Sequence, residues 1–203
     1  MIDFENLAVA MGELDEDTVK EILENGGVVA IPTETVYGLA ASLHNIEGIK
    51  KLCKLKKRPV NSGKILTVMV SSVKEIEKYA VLSKQERALA LRYFPGELTM
   101  IFEKRADFDN EYFDNFSTIG IRIPEHKYVL DLLKKTGPLV VTSANPRGEH
   151  ACMDSKEIKR RLPSVDAVVC GVAGMNLPST ILDIRSGIPH VLRQGGLLIV
   201  HYS

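Results

Sequence analysis

No run in this 203-residue chain is apolar for long enough to span a bilayer, and the opening Met1-Ile2-Asp3-Phe4-Glu5-Asn6 lacks the apolar core of a secretory leader. Charge of one sign is not in excess either: Lys plus Arg and Asp plus Glu number 26 each, a formal net charge of +0. General polyanion binders carry a basic surplus, so sequence-independent nucleic-acid binding is disfavoured. Aromatic residues make up only 6% of the chain, which leaves few rings on which bases could stack. Cysteine is scarce and unpatterned. Cys53, Cys152 and Cys170 are odd in number and widely spaced, so they supply neither a disulfide framework nor a metal-binding pair, and they fit reduced thiols in the cytoplasm. The chain has no Gly-x-x-x-x-Gly-Lys-[Ser/Thr] loop and no Gly-x-Gly-x-x-Gly turn, the two phosphate cradles of common nucleotide folds. Nor does it have a His-Glu-x-x-His or a Gly-x-Ser-x-Gly element, which removes support for a zinc protease or a hydrolase elbow. His44, His126, His150, His190 and His201 are not at ligand spacing. What remains is ordinary: 45% hydrophobic, 26% charged, mean hydropathy +0.00, enough for one full core. The expectation is a cytoplasmic single domain over residues 1–203.

Against that plain background one stretch stands out. Val28 to Ile31 is an apolar run after Gly26-Gly27 and reads as a buried strand over 27–31, which Pro32 stops by removing a ladder donor. Thr33, Glu34, Thr35 and Tyr37 then place four hydrogen-bonding side chains in five positions. A cluster of this kind at the mouth of a core strand is either a binding loop or a polar turn. Downstream, Lys50, Lys51, Lys54, Lys56, Lys57, Arg58 and Lys64 fall within fifteen residues that contain no acid.

Elements alternate along the chain. Asp15 caps a helix with Glu16 and Asp17 in its first turn and Leu14, Val19, Ile22 and Leu23 as its stripe; Asn25-Gly26 stops it. Asn45 caps a second, with Ile46, Ile49, Leu52, Cys53 and Leu55 inward and Pro59 at its end. Strands are expected at Ile65–Val70, Leu98–Phe102, Thr118–Ile123, Pro138–Val141, Asp166–Cys170, Thr180–Ile184 and His190–Arg193. Further helices are expected at Val73–Ala80, after the capping box Ser83-Lys84-Gln85-Glu86, at Tyr128–Lys135, and from Asp154-Ser155-Lys156-Glu157 to about Leu162. Residues 103–117 read as a loop. The class is α/β or mixed α+β.

Three further places carry possible chemistry. Lys56-Lys57-Arg58-Pro59 sits at a helix end, where it is either a solvated basic face or a cation pair turned into a cleft. Arg122, between apolar strand neighbours, needs an anionic ligand or a core carboxylate. Thr142-Ser143-Ala144-Asn145 follows an apolar strand, a position that suits a ligand loop or an ordinary turn.

In order, these residues resemble the threonylcarbamoyl-AMP synthase (YrdC-like) family. The resemblance is carried by Pro32-Thr-Glu-Thr-Val-Tyr-Gly-Leu39, Lys56-x-Arg58-Pro59, Pro95-Gly-x-Leu-Thr99 and Gly120-Ile-Arg-Ile-Pro124 with His126. Thr142-Ser-Ala-Asn145 with Gly148, Pro178-Ser-Thr180 and Leu192-Arg193 complete it. It implies a single mixed α/β domain, in its short form, whose twisted mixed sheet is flanked by helices and bears a positively charged concave groove. It also implies a nucleotidyltransferase that joins L-threonine, bicarbonate or CO2, and ATP, with Mg2+ accompanying the ATP. A tRNA-modifying threonylcarbamoyl transferase would act downstream, with RNA contact possible and no membrane partner. By that resemblance Lys56 and Arg58 are catalytic and hold phosphates. Thr33, Thr35, Arg122 and Ser179 take threonine, and Lys64, Thr118, Ser143, Asn145 and Arg193 join Lys56 and Arg58 around ATP. The chain departs from the pattern at Ser62-Gly63-Lys64, where the usual lysine is displaced by two residues, and at Glu97, Arg147 and Gln194. Two other readings stand beside this one: an RNA-binding module, and a relative acting on a different nucleotide or carbamoylated substrate.

Overall fold

The computed structural model describes residues 14–57, 66–174 and 176–199. In chain order the elements are α1 (Glu16–Glu24), β1 (Val29–Ile31), β2 (Gly38–Ser42), α2 (Ile46–Leu55), β3 (Thr67–Met69), α3 (Val73–Ile76), β4 (Ala80–Val81) and α4 (Lys84–Tyr93). There follow β5 (Leu98–Lys104), β6 (Thr118–Arg122), α5 (Lys127–Thr136), β7 (Leu139–Ser143), α6 (Ser155–Arg161), β8 (Ala167–Val168), β9 (Thr180–Asp183) and β10 (His190–Arg193). Helix starts follow their side-chain caps. Asp15 accepts from the Thr18 N–H, Asn45 from Gly48 and Asp154 from Glu157, and Ser83 and Glu86 satisfy each other's backbone in a full capping box.

The ten strands form one mixed sheet, ordered β10-β9-β5-β6-β3-β7-β2-β1-β8, with β4 pairing on β5. The pairs β1/β8, β3/β6 and β5/β9 are parallel and the others antiparallel. Among the described residues no helix is long and apolar enough to cross a membrane.

One face is covered along most of the sheet. Leu39, Val68, Met100, Phe102, Ile119 and Val140 pack against Ile49 and Leu52 of α2, Ile76 of α3, Ala90 of α4 and Ile158 of α6. The segment expected as a plain loop over 103–117 contributes here. Its first two residues extend β5, and Tyr112 and Phe113 are buried edge to face with centroids 4.9 Å apart. The opposite face is covered only in part: α1 and α5 bury Val29, Ile31, Ala40, Met69, Leu139 and Val141 beneath Val19, Leu23, Val129 and Leu133. Beyond those helices, toward β6, β5 and β9, the same face is open.

The structure departs from the sequence expectations at two places. The helix over Val73–Ala80 stops at Ile76, because Tyr79 turns inward onto Phe108 and Ala80-Val81 pair with Glu103 and Lys104. Gly38–Ser42, for which no element was expected, is a strand paired on one side with β1 and on the other with β7.

Candidate functional site

The open half of the sheet face is the floor of a cavity of about 470 Å³. Its floor includes Thr67, Thr99, Ile101 and Arg122, and its walls come from Thr33, Thr35, Ser143, Ser179, Leu192 and Arg193. The arrangement follows from strand alternation: Ile119 and Ile121 of β6 and Leu98, Met100 and Phe102 of β5 point to the covered core, so Arg122 and Thr99 must point the other way.

Arg122 is 5% exposed and almost fully engaged. Its Nη2 donates to Glu34 Oε1 at 2.7 Å and to Thr35 Oγ1 at 2.9 Å, and its Nε donates to Gly96 O at 3.2 Å. Both alternatives weighed from the sequence therefore meet in one residue: it has a carboxylate partner, and it faces a cavity. The Thr33–Tyr37 loop that delivers Glu34 and Thr35 is tied by its own hydroxyls. Thr33 Oγ1 donates to Val36 O at 2.7 Å and pairs with Thr35 Oγ1 at 2.9 Å. Tyr37 OH donates to Val169 O at 2.8 Å, and burial raises its pKa, so this phenol is an anchor.

Across the cavity, Arg193 donates from Nε and Nη2 to Ser179 O at 3.1 and 2.7 Å, and from Nη2 to Ser179 Oγ at 3.2 Å. Ser179 Oγ also pairs with Thr99 Oγ1 at 2.9 Å. Partial burial, followed by the nearby charge of Arg122, pushes the Arg193 pKa below the usual arginine range. Gly195 allows this corner to close, since a Cβ there would stand 2.1 Å from Pro178 O.

On the third side, Lys56 is delivered by the C-terminus of α2 and is 7% exposed. Its ammonium donates to Ser143 O at 2.8 Å, Asn145 O at 2.7 Å and Asn145 Oδ1 at 2.6 Å. Ser143 Oγ donates to the same Asn145 Oδ1 at 2.7 Å, and Asn145 Nδ2 donates to Pro146 O and Glu149 O.

Of the residues singled out from the sequence, Thr33, Thr35, Arg122, Ser143, Ser179 and Arg193 line this one cavity. Lys56 and Asn145 stand behind it and hold its Ser143 wall. Thr118 shares a sheet face with Arg122 but sits at the far rung of β6, opposite Glu103, and is not among the lining residues. Arg58 and Lys64 lie outside the described residues, as do Pro59, Ser62 and Gly63. Thr67 and Thr99 were missed. Their signal was a threonine within an otherwise apolar strand, on the face opposite the core. Among the described lining residues the only charged side chains are the two arginines, so the cavity suits anions. A second hollow of about 660 Å³ at the start of α1 does not: Asp15, Glu16 and Asp17 line it, and Lys135 there already bridges Glu16 and Asp17.

Solved structures share this fold. P. abyssi Sua5 in complex with L-threonine matches with a TM-score of 0.82 and 26% identity over 92% of this chain and 56% of its own. E. coli YciO matches with a TM-score of 0.80 and 27% identity over 89% and 88%. A HypF structure in a phosphate- and nucleotide-bound form, 22% identical, shares the fold with a TM-score of 0.78 over 89% of this chain and 29% of its own. The chain thus spans little more than half the length of the Sua5 chains it matches. The model of the Sua5/YciO/YrdC family, described as telomere recombination, matches residues 21–195, and the chain belongs to that family.

Proposed function

We propose that the chain is a threonylcarbamoyl-AMP synthase, forming threonylcarbamoyl-adenylate and pyrophosphate from L-threonine, bicarbonate or CO2, and ATP. The observation that carries this reading is the convergence of Arg122 and Arg193 on one cavity whose other polar walls are hydroxyls. Two anions have to meet in this reaction, a carbamate and a triphosphate, and a site for it must screen charge and align the attack. The P. abyssi Sua5 complex with L-threonine supports threonine as the amino acid.

The reaction divides into two bond changes. The threonine amine, as its free base, attacks the carbon of CO2; the nitrogen loses a proton and a carbamate forms. A carbamate oxygen then attacks the α-phosphorus of ATP, the bond from that phosphorus to the bridging oxygen of the β-phosphate breaks, and pyrophosphate leaves. Arg122 takes the threonine carboxylate, and Thr33, Thr35 and Ser179 bring to the amino-acid end hydroxyls that are held in fixed positions by bonds within the protein. Arg193, Ser143 and Asn145 contact the nucleotide, Arg58 binds the phosphates, and Lys56 adds positive charge beside them while its ammonium holds the Ser143–Asn145 loop in place. Thr118 and Lys64 complete the ATP set carried by the resemblance. Mg2+ enters with ATP as part of the substrate, and no step is assigned to a protein-held ion. The product serves a tRNA-modifying threonylcarbamoyl transferase, and the setting is the cytoplasm.

The test is incubation of the protein with ATP, labelled bicarbonate and each amino acid in turn, with pyrophosphate as the readout. Release confined to threonine is the expected result. Release with a different amine would move the chain to another substrate, and tight RNA binding with no release would replace the enzyme reading with a binding one.

A further inference from the structure

We propose that Glu34 sets the anion preference of Arg122 and so keeps phosphate away from the amino-acid end of the cavity. This rests on the reading above that an amino acid and a nucleotide share the cavity.

The two guanidinium groups differ in their company. Arg122 is paired with the Glu34 carboxylate at 2.7 Å, and both side chains are largely buried, 6% and 14% exposed. Arg193 donates only to neutral oxygens of Ser179, and among the described residues it has no carboxylate partner. The first centre is therefore close to neutral as a pair, and the second keeps its positive charge.

Glu34 is also fixed in place. Its Oε1 accepts from Arg122 and from the Glu125 N–H at 2.9 Å, whereas Oε2 is buried with no partner among the described residues. Its backbone is clamped from outside: Gly174 donates to Thr33 O at 3.0 Å, and a Cβ on Gly174 would stand 2.4 Å from Glu34 O. Two donors and a clamped backbone thus hold the carboxylate beside Arg122. Arg122 Nη1, which has no protein partner among the described residues, is left to meet the ligand. An incoming single carboxylate meets one guanidinium and one carboxylate behind it. A phosphate group with two or more charges meets the same pair in a low-dielectric wall, where like-charge juxtaposition is costly. Glu34 is thus a positioning residue that acts through Arg122 and excludes phosphate from the amino-acid end.

The experiment is calorimetric titration of wild type and Glu34→Gln with L-threonine and with inorganic pyrophosphate, each alone and then in the presence of the other. Glutamine keeps an oxygen for Nη2 and removes the charge. In wild type, pyrophosphate should leave threonine affinity unchanged. In Glu34→Gln it should bind about tenfold tighter and compete with threonine. Unchanged pyrophosphate affinity with no competition would overturn the proposal. Glu34→Asp is the control for folding and geometry, because it keeps the charge and shortens the reach. Pyrophosphate should bind it no better than wild type, and a gain there would show that shape alone was excluding phosphate and would overturn the charge argument. Absence of threonine binding to wild type would instead remove the synthase reading, while a pyrophosphate gain confined to Glu34→Gln would still support the role given to Glu34.

Discussion

At the scale of single residues, Lys56 shows how a cation read as a phosphate ligand can also hold up the site. Its ammonium spends its protons on three oxygens of the Ser143–Asn145 segment. Charge-assisted bonds left without a donor in a buried place are expensive, so Lys56→Met should cost about 3 kcal/mol of stability. Thermal melting and turnover should fall together in that variant, whereas Ser143→Ala should lower turnover with a nearly unchanged melt. A variant Lys56→Met that melts like wild type would return the residue to a purely ligand-facing role. His126 gives a residue-scale prediction in pH. Burial lowers its pKa, with the Glu34 charge opposing, and its Nδ1 is buried without a partner among the described residues. The unfolded chain therefore binds a proton at a pH where the folded chain does not. The stability linked to His126 is complete above the unfolded value and is lost as pH falls through the folded one. Between about pH 7.5 and about pH 5 the wild-type melt should drop by more than that of His126→Gln, measured by circular dichroism. Equal slopes for the two proteins would contradict this.

Elements decide which of these residues meet. Lys56 reaches Ser143 because α2 has a fixed start and a fixed length. Asn45 caps it through the Gly48 N–H at 3.1 Å and also donates to Glu24 O at 2.8 Å, tying the end of α1 to the beginning of α2. Asn45→Ala should cost about 1–2 kcal/mol in denaturant titration, the usual range for a lost cap, and leave threonine affinity unchanged. A large loss of affinity without loss of stability would mean that Asn45 acts on the site directly. The helix was legible because Asn45 and the Ile46–Leu55 periodicity agree with each other. The strand Gly38–Ser42 was not legible. Gly-Leu-Ala-Ala-Ser has no β-branched or aromatic residue and little strand propensity. It is extended because it lies between β1 and β7, with all five residues buried, so pairing on both sides overrides local preference. The site shows the same division. Arg122 and the hydroxyl loops were visible as polar groups in apolar surroundings, but the Arg122–Glu34 pair joins residues 88 positions apart and depends on topology.

For the molecule as a whole, the decisive feature is that one sheet face does two jobs. Near β1, β2 and β7 it is a core face beneath α1 and α5; toward β6, β5 and β9 it is the floor of the anion cavity. Both regions contain fully buried side chains, so burial alone does not sort every residue between them. Leu133 is 1% exposed and Thr99 2% exposed. Their contacts do: Leu133 lies in the apolar cluster with Val19 and Leu139, and Thr99 pairs its hydroxyl with Ser179 below Arg193. Leu133→Ala should cost about 3 kcal/mol through the cavity it leaves, with little change in threonine or ATP affinity. Thr99→Val keeps the shape and removes one hydroxyl from a pair that retains the Arg193 contact. It should shift the melt by less than about 1 kcal/mol while weakening substrate binding by about tenfold, because Ser179 loses the partner that orients it. Paired denaturant and calorimetric titrations of the two variants read both quantities. If Thr99→Val binds both substrates normally, or if Leu133→Ala loses binding in proportion to stability, the face is not divided in this way and the groove is only an uncovered stretch of core.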